Sequence, residues 1–217
     1  MIKDTLHIIC LYLNIDKFYK IKDELKLSVQ YYCTNVKDIA KYSKSWNKYK
    51  NNYLTTNIQN KIDWASQNGY LDVVKYLHSR NKDCTTNAMD FASEKGHLDV
   101  VKYLHSIGKD CTTKAMDWSS LYGHLEVVSY LHEIKKECTT DAMDGASENG
   151  YLSIVKYLNI IKKDCTTDAM TYASSNGHLK VITYLHSIDK YCTSDAITYA
   201  QANGHSKVVQ YLKLIKM

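Results

Sequence analysis

From about residue 60 onward, polar and apolar positions recur with a fixed step of 27 residues. Gly69, Gly96, Gly123, Gly150, Gly177 and Gly204 keep this step, as do Leu77, Leu104, Leu131, Leu158, Leu185 and Leu212. One unit shows what the period encodes. Thr113 can accept a hydrogen bond as an N-cap, and Lys114 to Tyr122 then predict a helix of about two turns. Gly123 suits the left-handed conformation that ends a helix. In the segment that follows, Val127, Val128, Leu131 and Ile134 fall at the three-and-four spacing of an amphipathic helix. Glu126 lies in its first turn, where the helix dipole favours an acid. Residues 135–139 turn the chain into the next unit.

A single helix pair of this size cannot bury its apolar stripe. Stacked pairs bury each stripe against the next, which makes a solenoid. Six units at roughly 10 Å per layer predict a rod or arc about 60 Å long. Residues 1–59 lack the period but carry helical stripes, including Leu6, Ile9, Cys10 and Leu13, then Phe18, Ile21, Leu25 and Val29. They are expected to form a helical N-terminal cap, with residues 60–217 making the six repeats.

Composition agrees with helices and adds a charge boundary. The chain has no proline and eight glycines, with 45% hydrophobic and 24% charged residues. Residues 1–60 hold ten lysines against five acids, whereas residues 61–217 balance eighteen basic against eighteen acidic side chains. The repeats therefore give no global attraction to a polyanion, and nucleic-acid binding would have to come from the basic N-terminal segment. No stretch approaches the run of about 20 apolar residues that spans a bilayer. The first residues also lack a signal-peptide pattern, so an intracellular, cytoplasmic location is expected.

The segment from Ala88 to Leu104, and Gly123-His124-Leu125-Glu126-Val127-Val128, resemble ankyrin repeats, more narrowly the short repeats of giant-virus and amoebal proteins. The resemblance covers about three-quarters of the chain. It implies an all-α, ankyrin-like α-solenoid of about six helix pairs and a non-catalytic protein–protein interaction scaffold. It also implies a cytoplasm belonging to the host, and a host factor as partner, if the chain is viral. The unit is about six residues shorter than the usual 33, and the missing stretch is where a β-hairpin would project, so fingers should be shortened or absent. The family's first-helix histidine is replaced by Asp63, Asp90, Asp117, Asp144, Thr171 and Thr198.

Several columns could carry chemistry. Cys84, Cys111, Cys138, Cys165 and Cys192 stand one layer apart, too far for disulfides, and no C-x-x-C pair exists. They read as buried turn packing in a reducing compartment. His97, His124, His178 and His205 follow the glycine, and His78, His105, His132 and His186 follow the leucine. Both columns read as hydrogen-bonding groups between layers. Lys82, Lys109, Lys136, Lys163 and Lys190 are countered by Asp83, Asp110, Glu137 and Asp164 and read as a solvated turn. Tyr76, Tyr103, Tyr130, Tyr157, Tyr184 and Tyr211 align with a family leucine and are expected to pack in the core. No phosphate-binding loop, H-E-x-x-H or nucleophile elbow occurs, so no catalytic, metal or cofactor site is expected.

Positions that vary between repeats are those the stack does not dictate. One first-helix column reads Trp64, Phe91, Trp118, Gly145, Tyr172 and Tyr199, with Leu121 and Tyr122 near its middle. The resemblance sets this column on or beside the concave face. Five aromatics match the composition of interface hot spots, and Gly145 would leave a notch beside Trp118. The strip then holds a helix or extended segment of a protein partner, with the scaffold acting as a monomer. The alternative is that these rings pack between neighbouring first helices. A further alternative lies in residues 6–18 and 43–47, which faintly resemble pieces of an F-box and would make the chain a substrate adaptor of a ubiquitin ligase.

Overall fold

A computed structural model describes residues 61–79 and 81–215. The expected N-terminal cap and the F-box-like pieces lie outside the described residues. Those described form twelve helices in six pairs: α1 (Lys61–Gln67), α2 (Leu71–Ser79), α3 (Asn87–Glu94), α4 (Leu98–Ser106), α5 (Lys114–Leu121), α6 (Leu125–Glu133), α7 (Asp141–Glu148), α8 (Leu152–Ile160), α9 (Thr167–Ser175), α10 (Leu179–Ser187), α11 (Asp195–Ala202) and α12 (Ser206–Ile215). Odd numbers are first helices and even numbers second helices. No strand occurs among the described residues, so the β-hairpin fingers are absent there.

The two helix types bury different residues, and this difference shapes the stack. Apart from one buried methionine each (Met89, Met116, Met143), these first helices bury mostly small side chains: Ala88, Ala92 and Ser93 in α3, Ala115, Ser119 and Ser120 in α5, and Ala142, Gly145, Ala146 and Ser147 in α7. The second helices bury branched ones, such as Val127, Val128 and Leu131 in α6. Small residues let helix axes approach, whereas branched ones hold them apart. First helices accordingly pack much more closely on one another than second helices do. A single apolar core runs from Ile62 to Leu212. Burying each leucine of the Leu104, Leu131, Leu158, Leu185 column contributes about 1.5–3 kcal/mol.

Each helix pair turns at a Schellman motif. At the end of α5, His124 N–H donates to Ser119 O at 2.8 Å and Gly123 N–H to Ser120 O at 3.3 Å. Gly123 has φ +86° there, and a Cβ at this position would lie 2.7 Å from the Tyr151 ring of the next repeat. Glycine is needed for both the backbone and the neighbour. The first five second helices end in the same motif, as where Lys136 N–H donates to Leu131 O and Lys135 N–H to His132 O, both at 2.9 Å. Here the left-handed residue is Asn81, Gly108, Lys135, Lys162 or Asp189, so most repeats make the turn without glycine.

The expected N-cap is displaced by one residue. Thr113 is already helical, with φ −58° and ψ −25°, and its side chain caps nothing. Thr112 Oγ1 instead accepts from Lys114 N–H at 3.2 Å. Thr112 has a second task that holds it in that place.

Candidate protein-binding face

Adjacent repeats are joined by ladders of polar contacts, which must be separated from the surface left for a ligand. In the innermost ladder Asp90 accepts from Thr112 N–H and from Thr112 Oγ1, both at 2.8 Å. Asp63 with Thr85, Asp117 with Thr139 and Asp144 with Thr166 repeat the pair. The aspartates that replace the family histidine therefore build their own network, each gripping the turn that starts the next first helix. Burial pushes the carboxyls of Asp63, Asp90, Asp117 and Asp144 above the usual aspartate value, and the threonine hydrogen bonds oppose it. At the fifth junction Thr171 takes the place of aspartate, and Thr193 N–H reaches its Oγ1 at 3.2 Å.

The histidine column after the leucine pairs with the tyrosine column one repeat on. His105 Nδ1 lies 3.0 Å from Tyr130 Oη, His132 Nδ1 3.0 Å from Tyr157 Oη, and His186 Nδ1 2.9 Å from Tyr211 Oη. Asn159 Nδ2 donates to Tyr184 Oη at 3.0 Å, which explains how asparagine stands in the column. The tyrosines are half-buried, with rings on the core and hydroxyls reaching the preceding repeat. The other histidine column lays its rings across the turn glycines of the preceding repeat, as His124 does on Gly96.

The lysine column forms ion pairs across the layers. Lys109 reaches Asp83 at 2.7 Å, Lys136 reaches Asp110 at 2.7 Å, Lys190 reaches Asp164 at 2.6 Å, and Lys163 pairs with Glu137. Each acid neutralises the lysine of the following repeat rather than its sequence neighbour. Cys84, Cys111, Cys138, Cys165 and Cys192 are half-buried, and none of them forms a disulfide among the described residues. Burial pushes the Cys111 thiol up to about 12 and those of Cys84, Cys138 and Cys165 to about 11. These thiols stay protonated at neutral pH and are weak nucleophiles. Among the described residues no group of three His, Cys, Asp or Glu could hold a metal ion. No helix among them is long and apolar enough to cross a membrane.

What the ladders leave uncommitted is the outer stripe of the first helices, and its rings differ in exposure. Trp64 is half-buried beside Tyr70, with ring centroids 5.4 Å apart. Phe91 and Trp118 are half-buried because they stack on each other, with centroids 5.9 Å apart and planes within 6°. Lys114 Nζ lies 5.3 Å from the Trp118 ring centroid and Lys95 Nζ 5.5 Å from that of Tyr122. Tyr122, Tyr172 and Tyr199 are 49%, 43% and 45% exposed. The notch expected at Gly145 is filled: Leu121 packs over it, and a Cβ there would stand 2.8 Å from Leu121 Cδ1. The column thus divides into covered rings in the first three repeats and open tyrosines in the last two, with Tyr122 between.

Stacked helix pairs joined by repeating ladders define this molecule as an α-solenoid repeat protein. The family model for ankyrin repeats (3 copies) matches residues 62–144 and again 142–216, so the chain belongs to the ankyrin repeat family. Among solved structures, the human ASB11 ankyrin repeat domain shares the fold at a TM-score of 0.61 and 14% identity, over 70% of this chain and 82% of that one. No curated protein matches this chain. Ankyrin repeats are general protein-interaction modules and typically non-catalytic scaffolds.

Proposed function

We propose that this protein is a non-catalytic scaffold that holds a partner protein along its first-helix face. Trp64, Phe91, Trp118, Leu121, Tyr122, Tyr172 and Tyr199 form the docking strip. The observation that carries this reading is the exposure of Tyr172 and Tyr199 in a column that the ladders neither use nor constrain, and of Tyr122 beside it. Aromatic rings exposed beside half-buried ones supply large contact area at low entropic cost, which is the chemistry of interface anchors. The partner is a protein of the cell in which the chain resides, a host factor if that cell is infected, and the scaffold engages it as a monomer.

Affinity capture from that cell followed by mass spectrometry tests the reading. Trp118→Ala and Tyr122→Ala, with helical circular dichroism unchanged, should each lose the captured partner at least tenfold, the usual size of a hot-spot loss. Undiminished capture by both variants would reject the docking strip.

A further inference from the structure

The two halves of the first-helix face carry opposite charges beside their rings. Lys114 and Trp118 stand four residues apart on α5, and the ammonium lies over the indole. Tyr122 likewise holds Lys95 over its ring. One and two repeats beyond α7, the positions equivalent to Lys114 and Trp118 are Asp168 and Tyr172 on α9, and Asp195 and Tyr199 on α11. Among the described residues no ammonium or guanidinium lies over Tyr172 or Tyr199, and Asp168 and Asp195 form no ion pair. The helices α7, α9 and α11 contain no lysine or arginine, and Asp141 extends the exposed acids toward the middle of the stack.

The third repeat thus shows, within the molecule, what a ring at this position accepts, namely a cation above its face. The fifth and sixth repeats keep the ring and put a carboxylate where the cation's stem begins. We propose that Asp168 with Tyr172, and Asp195 with Tyr199, are two cation-accepting subsites for an extended, arginine-bearing segment of the partner protein. This deepens the first-helix docking reading and rests on it. Each guanidinium would stack on a tyrosine and donate to the adjacent carboxylate, a combination that suits arginine better than lysine. Equivalent positions are about 10 Å apart. An extended chain advances about 3.3 Å per residue, so the two arginines stand three residues apart. The same carboxylates repel a nucleic-acid backbone.

The test uses the full chain and a fluorescein-labelled peptide, Gly-Gly-Arg-Gly-Gly-Arg-Gly-Gly, followed by anisotropy at low salt. A second peptide replaces both arginines with citrulline, which keeps the shape and removes the charge. Saturable binding is expected, weakened about tenfold by citrulline, by D168N/D195N and by Y172L/Y199L, the summed loss of two surface cation contacts. Glu126→Gln, which removes an acid from a second helix outside the docking strip, should leave peptide binding unchanged. No saturable binding, or equal binding of the citrulline peptide, overturns the proposal. So does loss in the aspartate variant with none in the tyrosine variant, which would reduce the site to diffuse charge. If Trp118→Ala abolishes partner capture while the arginine peptide fails to bind, the docking face stands and only the basic-segment assignment falls.

Discussion

The junction between the third and fourth repeats and that between the fifth and sixth follow one 27-residue template yet are held unequally. At the first, Asp117 accepts from Thr139 N–H at 2.8 Å and from Thr139 Oγ1 at 3.1 Å, while Leu121 closes over Gly145. At the second, a hydroxyl replaces the carboxylate, and Thr171 meets Thr193 at 3.2 and 3.3 Å. The final first helix, α11, buries only Ala196 and Ala200. The final second helix exposes Ser206, Lys207, Gln210 and Lys213, but also Leu214, which is 70% exposed. A solenoid's stability is the sum of its repeats and their interfaces, so the C-terminal unit should open first. That unit also carries half of the proposed cation-accepting surface.

The largest expected effect separates the middle from the end. Leu131 and Leu212 occupy the same column and are both fully buried. Leu131→Ala should lower global stability by about 2–5 kcal/mol, because it opens a cavity between two repeats on each side. Leu212→Ala should cost less globally and act locally, raising amide exchange in α11 and α12 while leaving α3 to α6 protected. Hydrogen exchange read by mass spectrometry decides it. Uniform loss of protection in both variants would mean that the array unfolds as one unit and that its end is no weaker.

Next in size are the rungs themselves. Asp117→Ala removes the acceptor for Thr139 N–H and Oγ1 and should cost about 1–3 kcal/mol in urea unfolding. Thr171→Val removes neutral contacts only, the longer ones to Thr193 and a bond to Thr167 O in its own helix, and should cost about 1 kcal/mol or less. Equal losses would show that carboxylate and hydroxyl hold their junctions equally well.

Much of this fold was legible from the period alone. The glycine and leucine columns placed both helices of every repeat, and the shortened unit announced the missing fingers. The histidines were readable as links between layers, although their tyrosine partners, 25 residues on, were not assigned. What stayed hidden depends on how one repeat meets the next. The Asp–Thr rung spans 22 residues and needs Thr112, not Thr113, to face backward, which displaced the expected cap. The left-handed turn at Lys135 and Lys162 carries no glycine to mark it. Ring exposure was equally out of reach, because it depends on the neighbour. Phe91 and Trp118, one repeat apart in the same column, cover each other by stacking, whereas the position one repeat before Tyr172 is Gly145 and supplies no ring.

Titration sharpens the contrast between inner rungs and outer ion pairs. Burial raises Asp90, Asp117 and Asp144 above 3.8, whereas lysine hydrogen bonds lower Asp110 and Asp164 below it. For the inner set the folded state binds protons more readily than the unfolded chain. The proton-linked part of their contribution to stability is complete below 3.8 and is lost as pH rises through the raised folded values. For the outer set the sign reverses: the contribution is present above 3.8 and disappears as pH falls through the lowered values. Carboxyl-carbon NMR should resolve two groups on opposite sides of 3.8. Finding both on one side would remove the distinction between a buried grip and a solvated pair.

The smallest effect concerns the serine column at the end of the first helices. Ser93, Ser120 and Ser147 are buried with no hydrogen-bond partner for the hydroxyl among the described residues, whereas Ser174 donates to Met170 O at 2.6 Å. A buried hydroxyl without a partner carries a desolvation cost that alanine avoids while keeping nearly the same volume. Ser120→Ala should therefore leave stability unchanged or raise it by up to about 1 kcal/mol. Ser174→Ala gives up a made bond and should lower stability by about 0.5 kcal/mol. The pair again sets the middle of the stack against its C-terminal side, now with the opposite sign, because the well-held repeats are the ones with hydroxyls to spare. A loss above about 1 kcal/mol in Ser120→Ala would show that this hydroxyl finds an acceptor in solution, which the i−4 carbonyl used by Ser174 could supply.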